Sequence, residues 1–277
     1  SMFDFSAEIF GSSDKGWYDH TPITPDDYKK CCFTSQKRVN HIGFLSNIIE
    51  NHDEPRGVSR YIPEGDLSLH SKKLLATMYF MLKGMPFIYQ GQEIGMENLS
   101  FQSIAEIDDI STIDQYHVAL DAGLSEKEAL ACVSRYSRDN ARTPMQWDAS
   151  DNGGFTSGTP WLQVNKNYKT INAAAQVNDP DSVFAYYKKL IALRHTNEVM
   201  VNGVYDVLIP DHPQIYAYTR TLGDKQLLVL CNDSDTNAAI PAELQEKIHA
   251  AKNILIQNYK DTDESTLRPY EAVVYAR

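Results

Sequence analysis

The sequence predicts a mixed fold, in which βα units feed a parallel sheet or barrel and an antiparallel β-region follows. Two short apolar runs, at residues 44–49 and 85–89, each end abruptly in polar residues or glycines. The segment between them has the spacing of a helix with one buried face. From about residue 200 the pattern changes to short β-type runs separated by turn residues. The predicted fold class is therefore α/β plus all-β.

The apolar run at residues 44–49 is predicted to be a buried strand that opens onto a site at its carboxyl end. Five consecutive polar residues, at positions 50–54, follow it directly. In parallel α/β proteins, polar residues concentrate where the carboxyl ends of strands meet a binding site. Pro55 disfavours helical backbone at the preceding residue, so the polar tip is expected to be extended or turned.

A plain turn is the alternative interpretation of residues 51–53, because Asn and Asp favour turns. Arg56 and Arg60 follow within ten residues. Carboxylates, an imidazole and guanidinium groups this close together favour a polar pocket that binds a polyhydroxylated ligand.

Four segments have helical patterns. Residues 24–40 begin with a capping Thr followed by Pro, residues 68–83 have one buried apolar face, and residues 125–136 open with a capping box. Residues 181–196 form the fourth. The second, which lies between the two apolar runs, completes the predicted βαβ arrangement.

The β-type runs beyond residue 200 predict a small antiparallel β-domain. They are residues 205–209, 215–222, 227–231, 254–259 and 271–275. We expect a partial barrel at residues 1–200 and the β-domain at residues 201–277. A long insertion at about residues 97–178 lies within the first part, and insertions of this length are usually functional.

Composition argues against several classes of partner. The formal net charge of −11 makes nucleic acid and anionic membranes unfavourable partners, because their phosphates would be repelled. The four cysteines lack metal-ligand spacing, so neither a metal nor a cofactor is predicted, and free thiols indicate a reducing cytoplasm. The sequence contains no signal-like start and no run of about 18 apolar residues, so we expect a cytoplasmic protein.

Three segments resemble the α-glucosidase branch of the α-amylase superfamily, glycoside hydrolase family 13. They are Glu-Asn-His-Asp-Glu-Pro-Arg at residues 50–56, Tyr-Gln-Gly-Gln-Glu-Ile-Gly-Met at 89–96 and Arg-Asp-Asn-Ala-Arg-Thr-Pro-Met-Gln-Trp-Asp at 138–148. The third is very specific. This branch contains oligo-1,6-glucosidases, dextran glucosidases and trehalose-6-phosphate hydrolases. The resemblance implies a (β/α)8 barrel followed by an antiparallel β-domain, which agrees with the patterns above.

The resemblance also implies a position within that fold, at strands six to eight. Residues 2–8 resemble the sixth barrel strand, the run at 44–49 the seventh, and residues 86–92 the eighth. Strands one to five have no counterpart. Retaining glycosidases need a nucleophile and an acid/base about 5–5.5 Å apart, and in this family both lie on strands four and five. The resemblance therefore implies that this chain alone is inactive.

Individual residues gain expected roles from the resemblance. Asp53 matches the carboxylate that stabilises the transition state, and His52 matches the imidazole that binds the same glucose. Arg138 matches an arginine that reaches that glucose, although a structural ion pair is the alternative. Glu54 stands where relatives often have Gln or Leu and is a further candidate for substrate binding. Arg142 is expected to fix the loop rather than to touch sugar.

The alternative partners of Arg138 in an ion pair are Asp139 and Glu93. For function, the first hypothesis is the C-terminal portion of an α-glucosidase acting on short α-1,6- or α-1,4-linked glucosides, with trehalose 6-phosphate as the alternative substrate. The second is a truncated, non-catalytic domain for carbohydrate binding or assembly. A small oligosaccharide is the expected partner, with self-association or a separate N-terminal fragment completing the barrel.

Overall fold

A computed structural model of the chain describes residues 12–23 and 25–277. The strand expected at residues 2–8 and the cap expected at Thr24 lie outside the described residues.

The first two strands that the structure describes form a parallel two-stranded sheet. Its strands are β1 (Leu45–Asn47) and β2 (Gly84–Pro86), with Leu45 opposite Gly84. The helices α2 (Gly57–Tyr61) and α3 (Leu69–Phe80) connect them. Parallel strands need such a crossover, so this is the βαβ arrangement that the alternating pattern predicts.

Both parallel strands are shorter than the sequence predicts. The run at residues 44–49 pairs over only three residues, and the strand predicted at 86–92 is wrong beyond Pro86. The chain there folds into a 3-10 turn at Gln92–Ile94, flanked by glycines with φ of 88° and 70°. Glycine adopts such left-handed backbone freely, so the chain turns away from the sheet edge.

The remaining helices form two groups, one around α8 (Val183–Thr196) and one in which α4 (Ile110–Asp121) and α5 (Glu126–Ser134) pack against each other. The helix α1 (Pro25–Val39) precedes β1, and α8 packs against α3, so all four predicted helices are confirmed to within a few residues. The predicted capping box is present, with Ser125 N donating to Glu128 Oε2 at 2.9 Å. The helix α4 was not predicted, and the others are α6 (Asp139–Arg142), α7 (Ala173–Gln176) and α9 (Glu198–Asn202).

A five-stranded antiparallel sheet follows, as predicted. Its order is β3-β4-β5-β9-β7, with bounds Val204–Leu208, Ile215–Leu222, Lys225–Asn232, Ala272–Ala276 and Asn253–Gln257. A small pair, β6 (Ala238–Ala239) and β8 (Thr266–Leu267), and the helix α10 (Ala242–His249) lie beside it. The sequence patterns did not predict α10, a two-turn helix between strands.

The sheet is the middle layer of the molecule. One face shares a continuous apolar core with α1, α3 and α8, and Phe33 of α1 stacks on Tyr216 of β4 with ring centroids 5.1 Å apart. The other face packs against Leu244 and Ile248 of α10. The division into two domains near residue 200 stays a prediction, but the main apolar core extends across that position.

Arg220 of β4 fastens the sheet to the ends of two helices. Its buried guanidinium donates to the carbonyl oxygens of Met81 at 2.6 Å, Gly203 at 3.0 Å and Val201 at 3.5 Å. Burial lowers the pKa of Arg220 to about 10, so the group stays charged at neutral pH. No helix in the described part of the chain combines the length and apolar character of a membrane span.

Candidate active site

The polar residues after β1 form a tight turn that presents two side chains to solvent. Asp53 N donates a hydrogen bond to Asn51 Oδ1 at 2.6 Å, and Glu54 N donates to Asn51 O at 3.4 Å. The side chains of His52 and Asp53 are 70% and 55% exposed. The turn predicted as the alternative interpretation is therefore present, and it points the side chains of His52 and Asp53 outward.

A buried ion pair fixes the base of this turn. Arg56 Nη1 donates to Glu50 Oε1 at 3.1 Å and to Gln90 O at 2.7 Å, and Gly57 N donates to Glu50 Oε2 at 2.6 Å. Burial raises the pKa of the Glu50 carboxyl, and the Arg56 charge opposes that rise. A Cβ at Gly57 would lie 2.8 Å from the carbonyl oxygen of Ile49, so the close approach requires glycine. Glu50 and Arg56 therefore hold the base of the turn in place.

Two arginines and an imidazole surround the Asp53 carboxylate. Arg142 Nη2 donates to Asp53 Oδ1 at 2.9 Å, and Arg142 Nε donates to the backbone oxygen of His52 at 2.8 Å. His52 Nε2 lies 3.1 Å from Asp53 Oδ2, and Arg138 Nη1 lies 3.9 Å from Asp53 Oδ1. The contact between Arg142 and Asp53 goes beyond the expected role of Arg142 in fixing the loop. Residues four apart share one face of a helical turn, and this spacing with Arg138 was the available signal.

Arg138 forms an ion pair with Asp109. Its Nε donates to Asp109 Oδ1 at 2.8 Å, its Nη2 contacts the same oxygen, and Nη2 also donates to Ser111 Oγ at 3.0 Å. Burial acts to raise the pKa of the Asp109 carboxyl, but hydrogen bonds from Arg138 and Thr112 outweigh it and hold that pKa below its usual range. Arg138 thus has both a structural partner and a position 3.9 Å from Asp53.

The two partners suggested for Arg138 by the sequence have other roles. Asp139 Oδ2 accepts the backbone N–H groups of Asp108 and Asp109 at 2.7 and 3.0 Å. Glu93 Oε2 accepts the N–H of Gly91 at 2.9 Å. Arg138 thus forms a structural ion pair, as the alternative interpretation predicts, but both predicted partners are wrong. The partner is Asp109, which lies 29 residues earlier in the chain and reaches Arg138 through the fold of the insertion.

Glu54 lies beside Asp53 and forms an ion pair with Arg60. Both residues line a cavity of about 360 Å³ that adjoins Asp53 and Arg138. The ring side chains of Trp17, His20 and Tyr136 line the same cavity. Within the described residues, no group of three or more His, Cys, Asp or Glu side chains is arranged to hold a metal ion.

The comparison with protein families identifies the chain. Residues 2–203 match the family "Alpha amylase, catalytic domain". The chain belongs to the alpha-amylase family. Relatives of this alpha-amylase family protein include an oligo-1,6-glucosidase of Parageobacillus thermoglucosidasius, 44% identical over 99% of this chain and 50% of the relative. A trehalose-6-phosphate hydrolase of Bacillus subtilis is 42% identical over 81% of this chain and 41% of the relative.

Solved structures of alpha-amylase family proteins also resemble this one. Trehalose-6-phosphate hydrolase of Bacillus licheniformis superposes with a TM-score of 0.91 at 36% identity, covering 100% of this chain and 51% of that protein. The chain spans about half the length of the curated relatives it matches. The resemblance inferred from the three sequence segments is confirmed at the level of the family.

Proposed function

We propose that this chain supplies the glucose-binding part of a retaining, exo-acting α-glucosidase that hydrolyses short α-1,6- or α-1,4-linked glucosides in the cytoplasm. Oligo-1,6-glucosidase activity is the first candidate, supported by the similarity to enzymes of that name. The observation that carries the proposal is the Asp53 carboxylate, which is half-exposed and held in place by Arg142 and His52.

In this proposal Asp53 binds two neighbouring hydroxyl groups of the glucose ring. A carboxylate offers about four acceptor sites, and the contacts with Arg142 and His52 use two of them. Charge-assisted hydrogen bonds to hydroxyls strengthen as the ring becomes an oxocarbenium-like cation. Loss of one such preorganised contact raises a barrier by about 3–4 kcal/mol. His52 and Arg138 bind the same glucose, and Arg142 sets the orientation of the carboxylate.

In this proposal the nucleophile and the acid/base do not come from the residues around Asp53. A retaining mechanism needs a nucleophile and an acid/base about 5–5.5 Å apart. Around the cavity, Glu54 and Asp109 are each paired with an arginine, and Glu50 is buried with Arg56. The resemblance to the family implies that the nucleophile and the acid/base lie on strands four and five of a (β/α)8 barrel. In that barrel β1 and β2 would be strands seven and eight, and residues 201–277 would be the β-domain that follows it.

Two measurements on the 277-residue chain test this function. The chain is expected to bind methyl α-glucoside in a titration and to lose that binding in Asp53→Asn, yet to hydrolyse no aryl α-glucoside. Asp151→Asn, which changes an exposed carboxylate that does not line the cavity beside Asp53, serves as the control and leaves binding unchanged. Hydrolysis by the chain alone that disappears in Asp53→Ala would contradict the assignment of the bond-breaking pair.

A second candidate is a non-catalytic assembly domain, and one surface favours it. Among the described residues β1 and β2 pair only with each other, so each has one edge that no other described strand covers. Phe44, Met85 and Phe87 beside them are 44%, 53% and 41% exposed. Open strand edges and apolar side chains favour association with another chain. The proposed partner is a second copy or a separate N-terminal fragment that completes the barrel.

Light scattering after size-exclusion chromatography tests this assembly. The chain is expected to elute above its monomer mass of 31.3 kDa, and Phe44→Ser with Phe87→Ser is expected to shift it toward the monomer. The matched control is Val177→Ser, which alters an exposed apolar residue away from the two strands. A monomeric wild-type chain would contradict self-association.

A further inference from the structure

The insertion contains two buried carboxylates, Asp109 and Asp139, that join the start of α4 to the start of α6. We propose that Asp109 is a positioning residue of the glucose site, which acts on sugar binding only through Arg138 and α6. This inference rests on the proposed function and adds to it a residue that lies outside the contacts with the sugar.

The helix α6 and its N-cap residue carry the two arginines near Asp53. Arg142 Nη2 lies 2.9 Å from Asp53 Oδ1, and Arg138 Nη1 lies 3.9 Å from the same oxygen. The helix has only 4 residues, and a helix this short is not stable without tertiary contacts. The placement of both guanidinium groups therefore depends on what holds α6 in position.

Asp109 holds the guanidinium group of Arg138 by one edge. Arg138 Nε donates to Asp109 Oδ1 at 2.8 Å, and Arg138 Nη2 contacts the same oxygen and donates to Ser111 Oγ at 3.0 Å. The third nitrogen, Nη1, is the one that lies 3.9 Å from Asp53 Oδ1. Because a guanidinium group is planar and its donors have fixed directions, a partner on one edge determines where the third nitrogen points. Asp109 therefore directs Nη1 toward Asp53.

Donors of the protein itself occupy the Asp109 carboxylate. Its Oδ2 accepts the backbone N–H of Arg138 at 3.2 Å and the hydroxyl of Thr112 at 2.7 Å, and its Oδ1 also accepts the backbone N–H of Ser111 at 3.3 Å. The side chain is 0% exposed, and an ionised carboxylate offers about four acceptor sites. A sugar hydroxyl therefore has no access to Asp109, so an effect of this residue on sugar binding must pass through its neighbours.

Asp139 makes the connection between the two helices reciprocal. Its Oδ2 accepts the backbone N–H groups of Asp108 and Asp109 at 2.7 and 3.0 Å. Its side chain is buried, and it is the first residue of α6. A carboxylate from each side thus ties the start of α4 to the start of α6. A shift of Asp109 would therefore move the start of α6 together with the guanidinium group of Arg138.

A double-mutant cycle on the 277-residue chain separates this role from a purely structural ion pair. Calorimetric titration with methyl α-glucoside gives the dissociation constants of the wild type, Asp109→Asn, Arg138→Gln and the variant with both changes. Asp109→Asn alone is expected to weaken binding about tenfold, which lies within the range of coupling between residues of one network. In the Arg138→Gln background the same change is expected to have almost no further effect, because its route to the sugar is already lost.

Asp108→Asn is the matched control, because it changes the neighbouring carboxylate, which is exposed and does not line the cavity beside Asp53. It leaves the dissociation constant unchanged. Thermal unfolding shows whether each variant is folded. If Asp109→Asn does not fold, Thr112→Val removes one donor to Asp109 and keeps both charges. It is expected to weaken binding about twofold, the lower end of the effect of one hydrogen bond, and Thr112→Ser, which keeps the hydroxyl, is expected to bind like the wild type.

The two proposals fail in different ways. A wild-type dissociation constant in folded Asp109→Asn or in Thr112→Val, or equal weakening by Asp109→Asn in both backgrounds, overturns the positioning role. The proposed function survives that result if Asp53→Asn still abolishes binding. If the wild-type chain binds no sugar, or Asp53→Asn has no effect, the proposed function is contradicted and the positioning role is contradicted with it.

Discussion

Arginine serves two different purposes in two regions of this protein. At the junction of the sheet and the helices, Arg220 is buried and donates to three backbone carbonyl oxygens. At the carboxyl end of β1, Arg138 and Arg142 are partly exposed and contact the carboxylates of Asp109 and Asp53. The two regions therefore differ in the partner of the arginine, which is a backbone carbonyl oxygen in the first and a carboxylate in the second.

The difference has a physical basis. Backbone carbonyls at helix ends need donors when they are buried, and a guanidinium supplies five N–H groups in a fixed plane. A carboxylate in contact with solvent can instead be satisfied by water, so an arginine beside it mainly sets its orientation and charge. Three substitutions make this contrast measurable.

The largest effect is expected for Arg220→Met. Two buried carbonyl oxygens, those of Met81 and Gly203, lose their donor, and each orphaned group costs about 1–3 kcal/mol, so the free energy of unfolding falls by about 2–6 kcal/mol. Binding of methyl α-glucoside by the chain that remains folded at low temperature is expected to be unchanged. Arg38→Met, on the exposed face of α1, is the control and stays within about 0.5 kcal/mol of wild type. Equal unfolding midpoints for the two variants would contradict the structural role of Arg220.

An intermediate effect is expected for Asp109→Asn. The buried partner of Arg138 loses its charge, and because Arg138 is partly exposed we expect a loss of about 2–3 kcal/mol, below the ~3–5 kcal/mol of a fully buried pair. The folded pKa of Asp109 is lower than its ordinary value of 3.8. Its stabilisation is therefore present above pH 3.8 and is lost as the pH falls through the folded value. Denaturant unfolding at a series of pH values checks this, since the wild-type and variant curves should converge in acid. A constant difference down to the lowest pH would contradict the assignment.

The smallest effect on stability is expected for Asp53→Asn. Ion pairs of exposed groups contribute about 0–1 kcal/mol, so the unfolding midpoint should hardly move. Sugar binding is nevertheless expected to disappear, which reverses the behaviour of Arg220→Met. An unfolding midpoint of Asp53→Asn far below that of wild type would instead give Asp53 a structural role like that of Arg220.

Local patterns predicted most of the regular structure. The helix α3 and the strands β4 and β5 were found because apolar periodicity and the Gly223-Asp224 turn are written in consecutive residues. The parallel strands were overestimated, since their length depends on pairing with distant residues. The short helix α10 carries no signal strong enough to separate it from its β surroundings.

The geometry around the candidate site residues could likewise be predicted only where it depends on neighbouring residues. His52 and Asp53 stand next to each other after an apolar run, so their joint exposure follows from the local chain. The pairing of Arg138 with Asp109 depends on how the insertion folds back, and no local pattern encodes that. The burial of Glu50 with Arg56 could not be predicted either, because a run of polar residues does not show which of them turns inward.

The tyrosine-rich face of the five-stranded sheet has a consequence for protein engineering. Because Tyr216 lies flat against Phe33 and the same core continues into α3 and α8, a cut near residue 200 would not release two independent modules. Excision of the β-region would expose to water the faces of α1, α3 and α8 that pack on the sheet. The sheet is thus a permanent scaffold for these helices, and a shortened form of the chain would need another layer in its place.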